Sequence, residues 1–236
     1  MQPETELVER QGKADTVEGV IVSRRIPDVP GMDGTGQLFY RQAPRLARSY
    51  RVGTYALRDT ASMEVLIADL ARVTDAVASV ERRAIIIGES FGGALALSFA
   101  LARPERVSAL VVLNSFPDFA PQRRLRLARH GLHVLPWGSM ALIRRLTAFR
   151  MHSRHTRLKA LTEYDIRDRL HDVSVPTLFL AAEHDHLVPS VAQARYMAER
   201  VPGAVVRVLA GHGHICAIAP DVDFEQILNE WRSAPL

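Results

Sequence analysis

The sequence predicts an α/β protein, with a mainly parallel sheet of about six strands covered by helices on both faces and a helical cap inserted over one edge. Three observations predict it. Short apolar, β-branched runs recur at Ala84–Ile87, Val107–Leu113, Thr177–Ala181 and Ala204–Leu209, as expected of strands buried on both faces. Helical patterns separate them, which is how parallel strands are connected. The stretch 120–172 breaks this alternation, reads helical and is too long for a simple crossover. At 236 residues the chain suits one such domain with an insertion. The expected organisation is a loose charged arm over 1–16, a core over 17–119 and 173–236, and a cap over 120–172.

In chain order, Val17–Ser23 is the first candidate strand. Arg24-Arg25-Ile26-Pro27-Asp28-Val29 then interrupts it with charges and a proline, and the glycine-rich loop Pro30-Gly31-Met32-Asp33-Gly34-Thr35-Gly36 follows. Leu38–Arg48 reads as a helix and Tyr50–Ala56 as a strand. Ser62 is placed to cap a long helix to Val80, with Val65, Leu66, Leu70, Val73 and Val77 at helical spacing. Val191–Arg200 and Asp221–Trp231 supply the late helices.

Between the strand Ala84–Ile87 and the helix-forming run Ala94–Ala102 sits Gly88-Glu89-Ser90-Phe91-Gly92. This fits the G-x-S-x-G nucleophile elbow, a tight strand-to-helix turn that holds a serine in a strained conformation. Gly88 and Gly92 lack Cβ atoms, so strand and helix can approach closely while Ser90 Oγ projects above the sheet. The helix N-terminus beneath it favours developing negative charge.

A serine hydroxyl needs a base, normally histidine, oriented by a carboxylate, and in elbow-bearing chains these follow in the order Ser, Asp or Glu, His. Asp185 and His214 both lie just beyond buried strands, so their loops open on the same edge of a parallel sheet as Ser90. His212, two positions away, is the alternative base, and Asp118 and Glu183 are alternative acids. His184 and His186 flank Asp185, but no metal or other cofactor is expected. For a tetrahedral oxyanion, Phe91 N–H is one candidate donor and Met32 N–H, in the early loop, the second. Asp33 beside it reads as a turn residue.

Taken together, P-G-M-D-G-T-G, G-E-S-F-G-G, the P-T-L-x-x-x-x-E-H-D-H-L-V-P segment at Pro176–Pro189 and G-H-G-H-I resemble the α/β-hydrolase superfamily from Pro30 to the C-terminus. The first two motifs look like the hydrolase domain of the plastid esterase/lipase/thioesterase group, which includes phytyl ester synthases, and its bacterial relatives. The resemblance implies a Ser90, Asp185, His214 triad acting on an acyl ester or thioester by hydrolysis, with acyl transfer to an alcohol, or a non-catalytic binding protein on the same scaffold, as the alternatives. An acyltransferase module like that of the plant enzymes is not expected, so the resemblance does not carry their synthase activity with it.

Between Ala120 and Ala160 the chain carries ten arginines and lysines and no acidic residue, more than the whole chain's net charge of +4. Apolar residues from Leu125 to Phe149 are interleaved with them. A basic amphipathic cap suits an anionic membrane surface, an acidic carrier protein or an anionic substrate, or is a solvated outer face over an apolar pocket. No nucleic-acid-binding module accompanies the charge, so nucleic acid is not an expected partner. No apolar run approaches the roughly 18 residues of a membrane span. The polar start Met1–Glu6 and the single Cys216 lead to an expected cytoplasmic location, without a disulfide framework.

Overall fold

A computed structural model of the chain describes residues 25–29, 37–77, 83–119, 159–161 and 163–233. Six strands form one sheet: β1 (Arg25–Val29), β2 (Arg51–Thr54), β3 (Ala84–Glu89), β4 (Val107–Leu113), β5 (Thr177–Ala182) and β6 (Val205–Leu209). Their spatial order is β2-β1-β3-β4-β5-β6, and every neighbouring pair runs parallel. All strand C-termini therefore finish on one edge, where ligands of open parallel sheets bind.

The period of two along each strand divides the core into two layers. Ile86, Leu110, Val112, Phe179 and Ala181 face one side, packed against α2 (Met63–Val77), α3 (Phe91–Ala102) and α4 (Ser190–Ala198). Ile85, Ile87, Val111, Leu113, Leu178 and Leu180 face the other, against α1 (Gln42–Leu46) and α5 (Phe224–Ser233). Every residue of β3 and β5 is buried, which is why these runs read as continuously apolar rather than alternating.

Two elements differ from the sequence expectation. The segment Arg25–Val29, read as an interruption, is itself strand β1, paired with β2 and β3. Its charges and Pro27 hide a strand that is specified by its neighbours on both sides rather than by its own composition. The helix expected over Leu38–Arg48 is divided into a short 3-10 turn, Gln37–Phe39, and α1 from Gln42. Pro44 explains the break: proline is tolerated in a first turn but removes a hydrogen bond and clashes in a helix interior, and starting at Gln42 places it in the first turn.

Ser62 does cap α2, accepting the Val65 N–H on its hydroxyl at 3.3 Å. Gln42 is a buried clamp. Its amide donates to Ala217 O and Val222 O at 2.8 and 2.9 Å, and its carbonyl accepts Phe224 N–H at 3.1 Å, fixing the chain between His214 and α5.

The expected arm 1–16, strand Val17–Ser23 and loop 30–36 lie outside the described residues, as do 120–158 of the expected cap. Of that cap's last part, Tyr164, Ile166 and Leu170 are buried in the core, and Asp165 forms an antiparallel bridge with Asp118. Among the described residues no helix is long and apolar enough to cross a membrane.

Candidate active site

The site begins where β3 ends. Ser90 continues the ladder for one more step, its N–H donating to Leu113 O at 2.8 Å, and then turns to φ 54° and ψ −116° before α3 starts at Phe91. A residue with a side chain at such an angle costs on the order of 1–3 kcal/mol, and the packing around it must over-determine the conformation. That packing is visible. A Cβ on Gly88 would lie 2.3 Å from Gly92 O, and one on Gly93 2.5 Å from Ser115 Cβ. The strand and helix backbones are in contact through these glycines, so Gly93 shares the role that the sequence motif gives to Gly88 and Gly92. Ser90 is 9% exposed.

The candidate acid, Asp185, is held by a turn. Asp185 Oδ1 accepts the N–H groups of Leu187 and Val188 at 2.9 and 3.0 Å, the local hydrogen bonding that lets aspartate shape a loop. Its Oδ2 accepts the hydroxyl of Ser190, at the start of α4, and faces His214 Nδ1 at 2.7 Å. The Asp185 side chain is 1% exposed and that of His214 13%. Burial by itself pushes the Asp185 carboxyl up, but hydrogen bonds from His214, Ser190 and Val188 and the nearby imidazole outweigh it and hold the group below the usual carboxylate value.

The His214 loop is joined to the Asp185 loop. Glu183 N–H donates to Leu209 O at 3.1 Å, His184 N–H to His212 O at 2.8 Å, and Gly211 N–H to the Glu183 carboxylate at 2.9 Å. Gly211 turns at φ 73°, in the left-handed region. Asn114, just beyond β4, reaches the same loop, donating from Nδ2 to His214 O at 2.7 Å.

Of the residues singled out from sequence, Asp185 and His214 are therefore in direct contact, and Ser90 stands on the same edge of the sheet. Among the described residues no hydrogen bond joins Ser90 Oγ to the His214 ring. Phe91 is the first residue of α3, where N–H groups have no partner within the helix. Met32 and Asp33 lie outside the described residues. The alternative groups have other partners: Asp118 faces Arg167 at 3.9 Å, Glu183 takes Gly211 N–H, and His212 faces Asp221 at 3.4 Å. Among the described residues no group of three or more His, Cys, Asp and Glu side chains is arranged to hold a metal.

Sequence reasoning missed Asn114, Ser115 and Ser190. Ser115 Oγ donates to Ser90 O at 2.7 Å. Asn114 and Ser115 directly follow a predicted strand on the functional edge, which was the available signal. Cys216, two residues after His214, is buried, and burial first, then the Glu89 charge, pushes its thiol up to about 12. It stays protonated at neutral pH and does not compete as a nucleophile.

A parallel sheet with an elbow serine after one strand and an Asp–His pair after two others defines the class. The chain belongs to the alpha/beta hydrolase family, whose sequence profile matches residues 9–226. Among its relatives are two bacterial RutD proteins, whose names give them a proposed carbamate hydrolase activity. That of Azorhizobium caulinodans is 30% identical over 84% of this chain and 87% of its own, and that of Stutzerimonas stutzeri 27% over 87% and 92%. A solved hydrolase structure from Pseudomonas aeruginosa superposes with a TM-score of 0.74 at 22% identity, covering 92% of both chains, and shows the shared fold. Family and relatives together support hydrolase activity.

Proposed function

We propose that the protein is a serine hydrolase that cleaves a carboxylic ester or thioester through an acyl-enzyme. His214 takes the Ser90 proton on Nε2 as Ser90 Oγ attacks the substrate carbonyl. Asp185, hydrogen-bonded to Nδ1, fixes the tautomer and stabilises the imidazolium. The imidazolium returns its proton to the leaving group as the tetrahedral intermediate collapses. Water, deprotonated by His214, then attacks the acyl-enzyme and restores the serine. Phe91 N–H and Met32 N–H are the proposed oxyanion donors, each contributing about 3 kcal/mol of transition-state stabilisation.

The observation that carries this reading is the 2.7 Å contact between His214 Nδ1 and a buried Asp185 carboxylate on the strand edge that also presents the strained Ser90. Hydrogen bonds of ligand-free catalytic groups are often long and tighten around substrate, so the Ser90–His214 bond is expected to form in the complex. The apolar residues interleaved through 125–149 support a hydrophobic acyl chain. The basic residues of the same stretch support an anionic membrane surface or acidic carrier protein as partner.

The names of the RutD relatives favour a second reading, in which the same groups attack the carbonyl of a carbamate. A panel of p-nitrophenyl esters from acetyl to octanoyl, set beside a carbamate substrate assayed for released ammonia, separates the two. The ester reading expects rates that rise with chain length; ammonia release with no ester turnover would replace it with the carbamate reading. Transfer products formed with an added long-chain alcohol would reveal acyl transfer.

A further inference from the structure

Two residues with side chains adopt positive φ among the described residues, Ser90 at 54° and Asn114 at 48°. They occupy equivalent places. Each is the first residue beyond its strand, and each sends its N–H one step further along the ladder, Ser90 to Leu113 O and Asn114 to Leu180 O at 3.0 Å. For Ser90 the strained turn presents a nucleophile. For Asn114 it presents an amide that no step of the proposed reaction uses.

Asn114 is 1% exposed, and both ends of its amide are hydrogen-bonded. Oδ1 accepts Ala182 N–H at 2.8 Å, at the end of β5 and three residues before Asp185. Nδ2 donates to His214 O at 2.7 Å and also faces Cys216 Sγ at 3.3 Å. The next residue, Ser115, holds the opposite side: its hydroxyl donates to Ser90 O at 2.7 Å, and its Cβ would meet any Cβ placed on Gly93. Two consecutive residues thus touch the backbone of the elbow, of the strand leading to the acid, and of the base itself. The elbow is more than ninety residues from the other two segments in sequence, and among the described residues no hydrogen bond between Ser90 Oγ and the His214 ring sets their separation.

We propose that Asn114 and Ser115 are positioning residues, a brace that fixes the distance between the nucleophile and the base by holding their main chains. The proposal rests on the serine hydrolase reading above. Asn114 acts through His214, and Ser115 through Ser90. Asparagine suits the place because it tolerates the left-handed region while carrying both a donor and an acceptor. A misplacement of about 1 Å between reacting groups can lower turnover on the order of 10²-fold without changing what the pocket binds.

The test compares Asn114→Gly, Asn114→Ala and Ser115→Ala with the parent protein. Both Asn114 variants lose the amide, but glycine accepts the φ of 48° freely whereas alanine is strained there, so the two differ in stability and share the missing brace. Active sites are titrated with a fluorophosphonate, and kcat per labelled site and KM are measured with a p-nitrophenyl ester well below each unfolding midpoint. The brace predicts an equal loss of about 10²-fold in kcat for both Asn114 variants, and a loss of about tenfold for Ser115→Ala, with KM within about threefold of the parent. A kcat per labelled site that stays at the parental value in folded Asn114→Gly, or that follows the unfolding midpoint from one variant to the other, overturns it. If Asn114→Ala does not fold, Asn114→Gly and Ser115→Ala decide. A parent protein that the fluorophosphonate does not label would overturn the hydrolase reading first, and a labelled parent with unimpaired variants would overturn the brace alone.

Discussion

The two halves of the site are held by different means. On the Ser90 side the construction is steric: a Cβ on Gly88 would strike the Gly92 backbone, one on Gly93 would strike the Ser115 side chain, and the strained Ser90 is trapped between a buried strand and a buried helix. On the Asp185 and His214 side, side-chain hydrogen bonds join the backbone ones in holding the loops. Asp185 gathers four donors, Asn114 ties the His214 loop to β5, and Gln42 clamps the chain that follows. The difference teaches what each half tolerates. Steric construction fails when an atom is added, and hydrogen-bonded construction fails when one is removed.

The largest expected effect is at Ser90, the proposed nucleophile. Ser90→Ala should lower ester turnover by about 10⁴- to 10⁶-fold while circular dichroism and the unfolding midpoint stay near the parent's, because the side chain is lost but the turn remains. On the other side, Asp185→Asn should lower kcat on the order of 10⁴-fold, since an amide in place of the carboxylate favours the wrong imidazole tautomer.

Adding one methyl group sharpens the steric half. Gly88→Ala drives a Cβ to within 2.3 Å of Gly92 O and should destabilise the protein by at least ~2–3 kcal/mol in urea unfolding. Gly213→Ala, whose Cβ would meet His184 O at an ordinary 3.6 Å, should change stability by less than ~0.5 kcal/mol. Equal effects at the two glycines would erase the contrast. Removing one hydroxyl tests the other half: Ser190→Ala deletes a donor to a charged carboxylate and should cost about 2 kcal/mol.

The smallest effect is a pH dependence. The Asp185 carboxyl is held below its unfolded value of about 3.9, so in acid the unfolded chain binds the proton more readily than the folded one. Its stabilisation is complete above the unfolded value and is lost as the pH falls through the folded one. Below about pH 4, the unfolding free energy of the parent should therefore drop more steeply than that of Asp185→Asn. Parallel curves would contradict the hydrogen-bonded carboxylate.

The same contrast governs what could be read from sequence. The elbow was legible because steric construction leaves glycines at fixed spacing beside a serine, and buried parallel strands leave runs such as Ile85-Ile86-Ile87. The contact between Asp185 and His214 was legible through chain order and their place after strands. Asn114, Ser115, Ser190 and Gln42 were not, because each matters through the atom it touches in a distant segment, and many asparagines and serines in loops touch none. Strand β1 was hidden for a related reason: Arg25, Pro27 and Asp28 argue locally against a strand, and pairing with β2 and β3 overrides them.

The most direct measurement is where a fluorophosphonate attaches. Mass spectrometry of the digested, labelled protein should find one adduct, on Ser90, with labelling abolished in Ser90→Ala and slowed in His214→Ala. An adduct on another residue, or no adduct on the folded protein, would contradict the account.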